Sequence, residues 1–326
     1  MINLNEIVKY RMGKWYTKKF IADKKPWNES CIQQHPKRGK LWMERWQSEG
    51  ISHNPGVLLN GKDAFLYEKE KVEPEVPIVA HARHAEENGS IMSPLAELRN
   101  QDIQNINKKD KINFKDKINE IIWRGKLTGV NNKGKGVQSN LNFCEECEQY
   151  ERYNVVLKWH KKFNIKFTHT LLIGRDPKDN FAADFKERIE CVFKIIQQVL
   201  SPDMMADYMP FQSHMLRYKY ILNLDGNDWG SGLIDSLRSN SVVLSPVPKW
   251  HNIINFKLKP WEHYVPLLEN AKDLEEKLEW CKQNDKECNL IAQRATNHCE
   301  QFSLRQEQEI EKRIFSVLQQ NSTKND

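Results

Sequence analysis

The chain has 326 residues, of which 39% are hydrophobic and 29% charged, with ten tryptophans and a formal net charge of +6. This length exceeds one ordinary core and predicts two domains, and the apolar and aromatic content suffices to bury both, which excludes a disordered chain. The modest basic excess suits nucleotide phosphates, an anionic glycan or peripheral contact with a membrane, while nucleic acid is excluded as a partner for want of a localised basic patch or recognition motif.

Seven scattered cysteines, Cys31, Cys144, Cys147, Cys191, Cys281, Cys288 and Cys299, make no disulfide framework in a chain of this size, so reduced thiols are expected. The N-terminal MINLNEIVKYRMGKWY has no apolar signal core, and no stretch approaches the eighteen apolar residues of a transmembrane helix. A cytoplasmic location is the expectation.

In chain order, the first fifty residues carry Trp15, Tyr16, Trp27, Trp42 and Trp46 among many charges, with a helix predicted over Lys40–Ser48. These aromatics read as packing anchors. Gly56–Asn60 is a short buried strand ended by Gly61-Lys62-Asp63, and Val76–Ala82 is a second apolar run, so this half reads as α/β. Arg83, His84, Glu86 and Glu87 follow that run and are minor candidates for a cleft. The polar stretch Arg99–Lys117 has isoleucines at helical spacing and is predicted as an amphipathic hinge helix.

Ile121-Ile122-Trp123 opens the second half as a strand, and Arg124-Gly125-Lys126-Leu127-Thr128-Gly129 follows as a basic loop. Its glycines permit close backbone approach to a ligand and its cations suit a diphosphate, although the spacing of a P-loop is absent. Cys144-Glu-Glu-Cys147 lacks the second pair that would complete a zinc site and is read as incidental. A helix over Arg152–Trp159, a strand over Ile165–Ile173 and an amphipathic helix over Phe185–Leu200 come next. Tyr218–Leu224 is a buried strand stopping at Asp225-Gly226-Asn227, and Leu233, Ile234, Leu237 and Arg238 recur at helical spacing after it. Ser241–Leu244 is another strand, closed by Ser245-Pro246. Two βα steps in succession predict a doubly wound sheet, whose ligands bind beyond the strand ends where helix N-termini face an anion. Trp261-Glu262-His263-Tyr264 is a turn, and helices are predicted over Leu274–Cys281, Ala292–Phe302 and Leu304–Leu318.

One ordered set of residues runs through the second half: Lys219-Tyr220, Asn223, Asp225-Gly226-Asn227, Trp229, Leu233, Ser241, Val243, Trp250, Leu258, Pro260-Trp261 and His263-Tyr264-Val265-Pro266. Trp123-Arg124-Gly125 with Thr128-Gly129 precedes it, and Asp273, Trp280, Ile291 and Phe302 follow. This set resembles glycosyltransferase family 90, the lipopolysaccharide-modifying and capsule-associated enzymes that include protein O-glucosyl- and O-xylosyltransferases. The resemblance covers residues 119–304 and is weak before them.

The resemblance implies a GT-B type α/β fold of two Rossmann-like domains facing each other across a cleft. Residues 1–118 would form the acceptor-side domain, with the C-terminal helix 305–326 packing back onto it, and residues 119–304 the nucleotide-sugar domain. It implies an inverting transferase that moves xylose or glucose from a UDP-sugar to a glycan or glycoprotein hydroxyl without a metal or other cofactor. The acceptor-side pattern, a strand ending Asn-x-basic-Asp, falls on Asn60-Gly61-Lys62-Asp63 and makes Asp63 the candidate base. Donor binding falls to Arg124, Gly125, Lys126, Thr128, Gly129, Asp225, Gly226, Asn227, Trp229, Ser231, Arg238, Glu262 and His263. Gly232 stands where many relatives carry an arginine expected to meet the donor phosphate. A catalytically weakened relative that binds a glycan or a partner is the alternative, and a viral or bacterial origin fits the absence of a signal peptide.

Overall fold

A computed structural model describes residues 3–22, 25–34, 36–60, 76–94, 110–131, 136–169, 183–210, 214–230 and 232–323. They divide into two units, residues 1–108 with 249–258 and 298–326, and residues 109–248 with 259–297.

In the first unit, helix α1 (Leu4–Met12) starts where the Asn3 side chain accepts hydrogen bonds from the Asn5 and Glu6 amides. Four short strands, β1 (Ile32–Gln34), β2 (Leu58–Asn60), β3 (Ile78–Ala80) and β4 (Ser90–Met92), form a parallel sheet in chain order. Helix α2 (Pro36–Ser48), between β1 and β2, buries Trp42, Met43 and Trp46. Trp46 stacks on Trp42 at 6.2 Å and meets Phe315 edge-on at 4.9 Å, and Trp27 packs on both Trp46 and Phe315. The expected role of these tryptophans as anchors is what the packing shows.

The C-terminal helix (Leu304–Asn321) belongs to this unit and is started by a capping box between Ser303 and Gln306. Its apolar stripe of Ile310, Ile314, Phe315 and Leu318 is buried, but so are two acids, Glu307 and Glu311. Arg11 reaches Glu307 at 2.6 Å and Glu311 at 3.7 Å, and Arg45 reaches Glu311 at 2.5 Å. The Ser93 hydroxyl also donates to Glu311. Desolvation pushes the Glu307 carboxyl up, against the opposing pull of Arg11.

The second unit holds a six-stranded sheet of β5 (Ile118–Gly125), β6 (Asn164–Thr168), β7 (Met205–Ala206), β8 (Tyr218–Leu222), β9 (Val242–Pro246) and β10 (Val265–Leu267). All of its pairings are parallel, and the spatial order is β7-β6-β5-β8-β9-β10. The chain therefore steps outward from β5 on one side, returns to its other side at β8, and steps outward again. That reversal is the strand order of a doubly wound dinucleotide fold. Helices α3 (Glu151–Trp159) and α4 (Ala183–Val199) accompany the first half-sheet, and α5 (Gly232–Leu237), α6 (Leu274–Gln283) and α7 (Asp285–Glu300) the second. Ile121, Trp123, Tyr220, Leu222, Val242 and Leu244 pack together in the core of one sheet face, while Ile122 and Ile221 pack with Met215 elsewhere. Strands buried on both faces read as the near-continuous apolar runs seen in the sequence.

The α/β class with parallel sheets is thus present. Of the stretch expected as an amphipathic hinge helix, residues 110–117 are described and contain only a short 3₁₀ turn, Phe114–Asp116. Lys117 is buried there with its ammonium 2.5 Å from Asp110, and this pair replaces helical hydrogen bonding as the local tie. The strand expected over Ile165–Ile173 covers Asn164–Thr168, and residues 170–182 lie outside the described ones. All seven cysteines are free thiols. Among the described residues no helix is long and apolar enough to cross a membrane.

Removing one partner of a buried ion pair leaves an uncompensated charge, which costs about 3–5 kcal/mol. Glu311→Ala is expected to lose stability of that order in urea unfolding, whereas Lys40→Ala, which breaks a solvent-exposed pair with Glu29, leaves the midpoint where it was.

Candidate functional site

The carboxyl ends of β5 and β8 lie side by side, since Tyr220 pairs with Ile121 and Ile221 with Ile122. Two loops leave from this point: residues 126–130 after β5 and residues 223–230 after β8. They are joined directly, with the Gly129 amide donating to Asn227 Oδ1 at 3.1 Å. Gly129 has φ +141°, a backbone conformation that a residue with a Cβ rarely adopts. The second loop is closed on itself by Gly226 N–H donating to Asp228 O and Gly230 N–H donating to Asp225 Oδ1. A Cβ on Gly230 would lie 2.7 Å from both Asn223 Oδ1 and Leu224 O, so the loop has room for glycine alone.

Beneath both loops sits Arg152, in the first turn of α3. Its Nε donates to Asp225 O at 2.8 Å and its Nη2 to Leu224 O at 2.9 Å. Nη1 donates to Lys126 O at 3.0 Å and to Thr128 Oγ1 at 2.7 Å. The guanidinium also lies 5.7 Å from the Trp123 ring centre. Burial pushes its pKa down to about 10, against the opposing pull of Asp225, so it remains a cation at neutral pH. Sequence reasoning placed Arg152 in a helix and gave it no further role. A signal was available, because a cation in the first turn opposes the helix dipole and needs partners outside the helix.

Several of the expected site residues therefore come together. Gly125 at the end of β5 and Lys126, Thr128, Gly129, Asp225, Gly226, Asn227 and the buried Trp229 on these two loops all lie at one end of the sheet. The half-buried Lys126 ammonium has no hydrogen bond or ion pair among the described residues. Arg124 points elsewhere. Its guanidinium donates to Trp123 O at 2.8 Å and Asn164 O at 2.9 Å, and also to Asn164 Oδ1, at the beginning of β6. Burial lowers its pKa as well.

Arg238, Glu262 and His263 are placed toward the other end of the sheet. Arg238 stands two residues before Asn240, whose amide donates to Asp110 O and Ile112 O ahead of β5. Glu262 and His263 precede β10 in a turn where the Lys259 amide donates to His263 Nδ1 at 3.0 Å. Lys259, 3.1 Å from Glu262, holds that carboxyl below the usual carboxylate range. In the first unit, Arg83 is buried with its guanidinium donating to Ser90 O and Tyr10 O, and His84 packs edge-on to Trp250. Ser231 and Asp63, the candidate base, lie outside the described residues.

No group of three or more His, Cys, Asp or Glu side chains among the described residues is arranged to hold a metal ion. In the C-x-x-C pair, the Cys147 thiol is directed at Cys144 O and the Cys144 thiol at Ile195 O.

Residues 188–323 match the sequence model of glycosyl transferase family 90. The chain is similar to protein 027R of Frog virus 3 (isolate Goorha), 41% identical over 83 residues, which is 23% of this chain and 8% of that protein. It is similar to protein O-glucosyltransferase 3 of Rattus norvegicus, 37% identical over 76 residues, 23% of this chain and 15% of the relative. It is also similar to the O-glucosyltransferase LpsA of Dichelobacter nodosus, 32% identical over 111 residues, 32% of this chain and 35% of the relative. The matched segments thus span between 8% and 35% of the length of these proteins.

Because a Cβ at position 230 would overlap Asn223 Oδ1 and Leu224 O, Gly230→Ala is expected to force the loop after β8 to shift, at about 1–3 kcal/mol. The loss is measured as a lowered urea midpoint, while far-ultraviolet circular dichroism stays unchanged.

Proposed function

With this chain in glycosyl transferase family 90, we propose that it transfers a sugar, glucose or xylose, from a UDP-sugar to a hydroxyl of a glycan or glycoprotein. The observation that supports this most is the reversal of strand order between β5 and β8, with the loop after β5 meeting, beyond it, the loop after β8 that lies within the family match. Open parallel sheets bind nucleotides at such a point. The names of the relatives, O-glucosyltransferases, favour glucose.

In this reading the nucleoside diphosphate lies against the loops after β5 and β8, on the second unit, and the acceptor belongs to the first, as in a GT-B enzyme. The family arginine is replaced by Gly232, the first residue of α5, and Arg124 is engaged with Asn164. The cation that meets the diphosphate is then Lys126, aided by backbone N–H groups, and no divalent metal is required. Asp63 takes the proton of the acceptor hydroxyl as its oxygen attacks the anomeric carbon. The bond from that carbon to the diphosphate oxygen breaks on the opposite face, the nucleoside diphosphate leaves with the electron pair, and the configuration inverts.

The test is a screen of nucleotide sugars in the presence of chelator, following release of free nucleotide and donor affinity. Release from one UDP-sugar is expected. Lys126→Ala removes a charge-assisted contact and weakens donor binding about 10- to 100-fold. Asp63→Asn lowers kcat roughly 10²–10⁴-fold with donor affinity unchanged. A chain that binds a glycan but neither binds nor cleaves any nucleotide sugar is instead a weakened, purely binding relative, and the proposal fails.

A further inference from the structure

Resting on the proposed donor site, we infer that Arg152 is a positioning residue for the donor, a single buried cation that sets both donor loops at once. The loop after β5 and the loop after β8 come from strands separated by nearly a hundred residues of chain, and each must hold its shape where no strand pairing continues. Arg152 supplies the missing partner. It accepts no hydrogen bond itself, and its donors reach Lys126 O and Thr128 Oγ1 in one loop and Leu224 O and Asp225 O in the other.

The choice of acceptors matters for the ligand. Three of the four are peptide carbonyls. In a trans peptide the N–H lies opposite the C=O, so drawing in the carbonyls of residues 126, 224 and 225 turns the N–H groups of residues 127, 225 and 226 away from Arg152, and of these the Gly226 N–H is used within the loop, on Asp228 O. A cation on the inner side of the two loops therefore orients their backbone dipoles with the donor ends outward, the polarity a diphosphate needs. Gly226 fits this arrangement, because a Cβ there would stand 3.1 Å from Arg152 Nη2 and 3.3 Å from Thr128 Oγ1. The inner guanidinium is not itself the phosphate ligand in this reading, since four of its five N–H donors are already directed at the loops.

A lysine at this position keeps the charge but has one nitrogen in place of three and cannot span both loops. Arg152→Lys and Arg152→Ala are compared with the wild-type chain by amide hydrogen exchange and by UDP-sugar binding. The expected result is exchange at least about tenfold faster in residues 126–130 and in residues 223–230, with Val242–Leu244 of β9 unchanged, together with donor binding weaker by about tenfold or more. Added guanidinium ion at millimolar concentration is expected to restore part of the affinity of Arg152→Ala and none of that of Lys126→Ala. A role confined to general stability would instead raise exchange across β9 and respond to no guanidinium.

The inference is overturned if Arg152→Lys keeps the exchange of both loops, or loosens only one of them, or binds donor as the wild-type chain does. A wild-type chain that binds no nucleotide sugar refutes the proposed function, and the exchange measurement still decides whether Arg152 holds the two loops.

Discussion

The parallel pairing of β5 with β8 is the constraint on which the second unit depends. Two adjacent strands that continue into helices of different half-sheets cannot hand their hydrogen bonding on to each other, so a crevice opens where they end. Everything placed there must be satisfied by other means. The Gly129–Asn227 bond, the internal closure of the loop after β8 and the four donors of Arg152 do this. The glycines at 226 and 230 leave room for this packing.

The same physical device recurs in the first unit with the signs combined differently. The buried Arg11 and the partly buried Arg45 meet the buried Glu307 and Glu311, so the C-terminal helix is fixed to α1 and α2 by charges as well as by its apolar stripe. Such a cluster adds little net stability over a hydrophobic replacement but penalises any register in which one charge loses its partner. Arg152 differs in that its acceptors are dipoles rather than carboxylates. It specifies the shape of two loops while leaving its own charge only partly compensated, which the fall of its pKa to about 10 reflects.

Element type and order were legible because periodicity reports burial. Ile121-Ile122-Trp123 and Tyr218–Leu222 are apolar on both faces, as strands inside a parallel sheet must be, and Ile189, Val192 and Ile196 recur at helical spacing on α4. The convergence of residues 125–129 with 225–229 was legible only through the family pattern, since no local signal relates loops so far apart in the chain. What stayed hidden was direction. Arg124-Gly125-Lys126 puts two cations two residues apart, which a continuing strand would place on one face, but the strand ends at Gly125 and Arg124 turns back to Asn164 at the start of β6. Arg238, Glu262 and His263 share the motif's stretch of sequence with Asp225-Gly226-Asn227, yet a strand or helix intervenes and carries them toward the sheet's other end. Arg152, 24 residues from Thr128, carried only the faint signal of a cation in an unfavourable helical turn.

The balance of charge at the crevice follows from these placements. Asp225 and Asp228 lie on the loop after β8, and Asp225 is answered in part by Arg152 from below. Arg124 is turned away, and position 232 has no side chain. Lys126 is left as the cation on these loops whose charge is not already directed at another of the described residues. An anion held here would depend less on paired guanidinium groups than on one flexible ammonium and on backbone N–H groups oriented from beneath. Backbone donors hold their positions only as firmly as the loops that carry them, and a lysine loses more rotamer freedom on binding than a pre-organised guanidinium. In the proposed donor site, glycine rather than arginine at the start of α5 therefore shifts the burden of recognition from side-chain charge to loop shape, and makes the rigidity supplied by Arg152 more consequential than it would be with an arginine at that position.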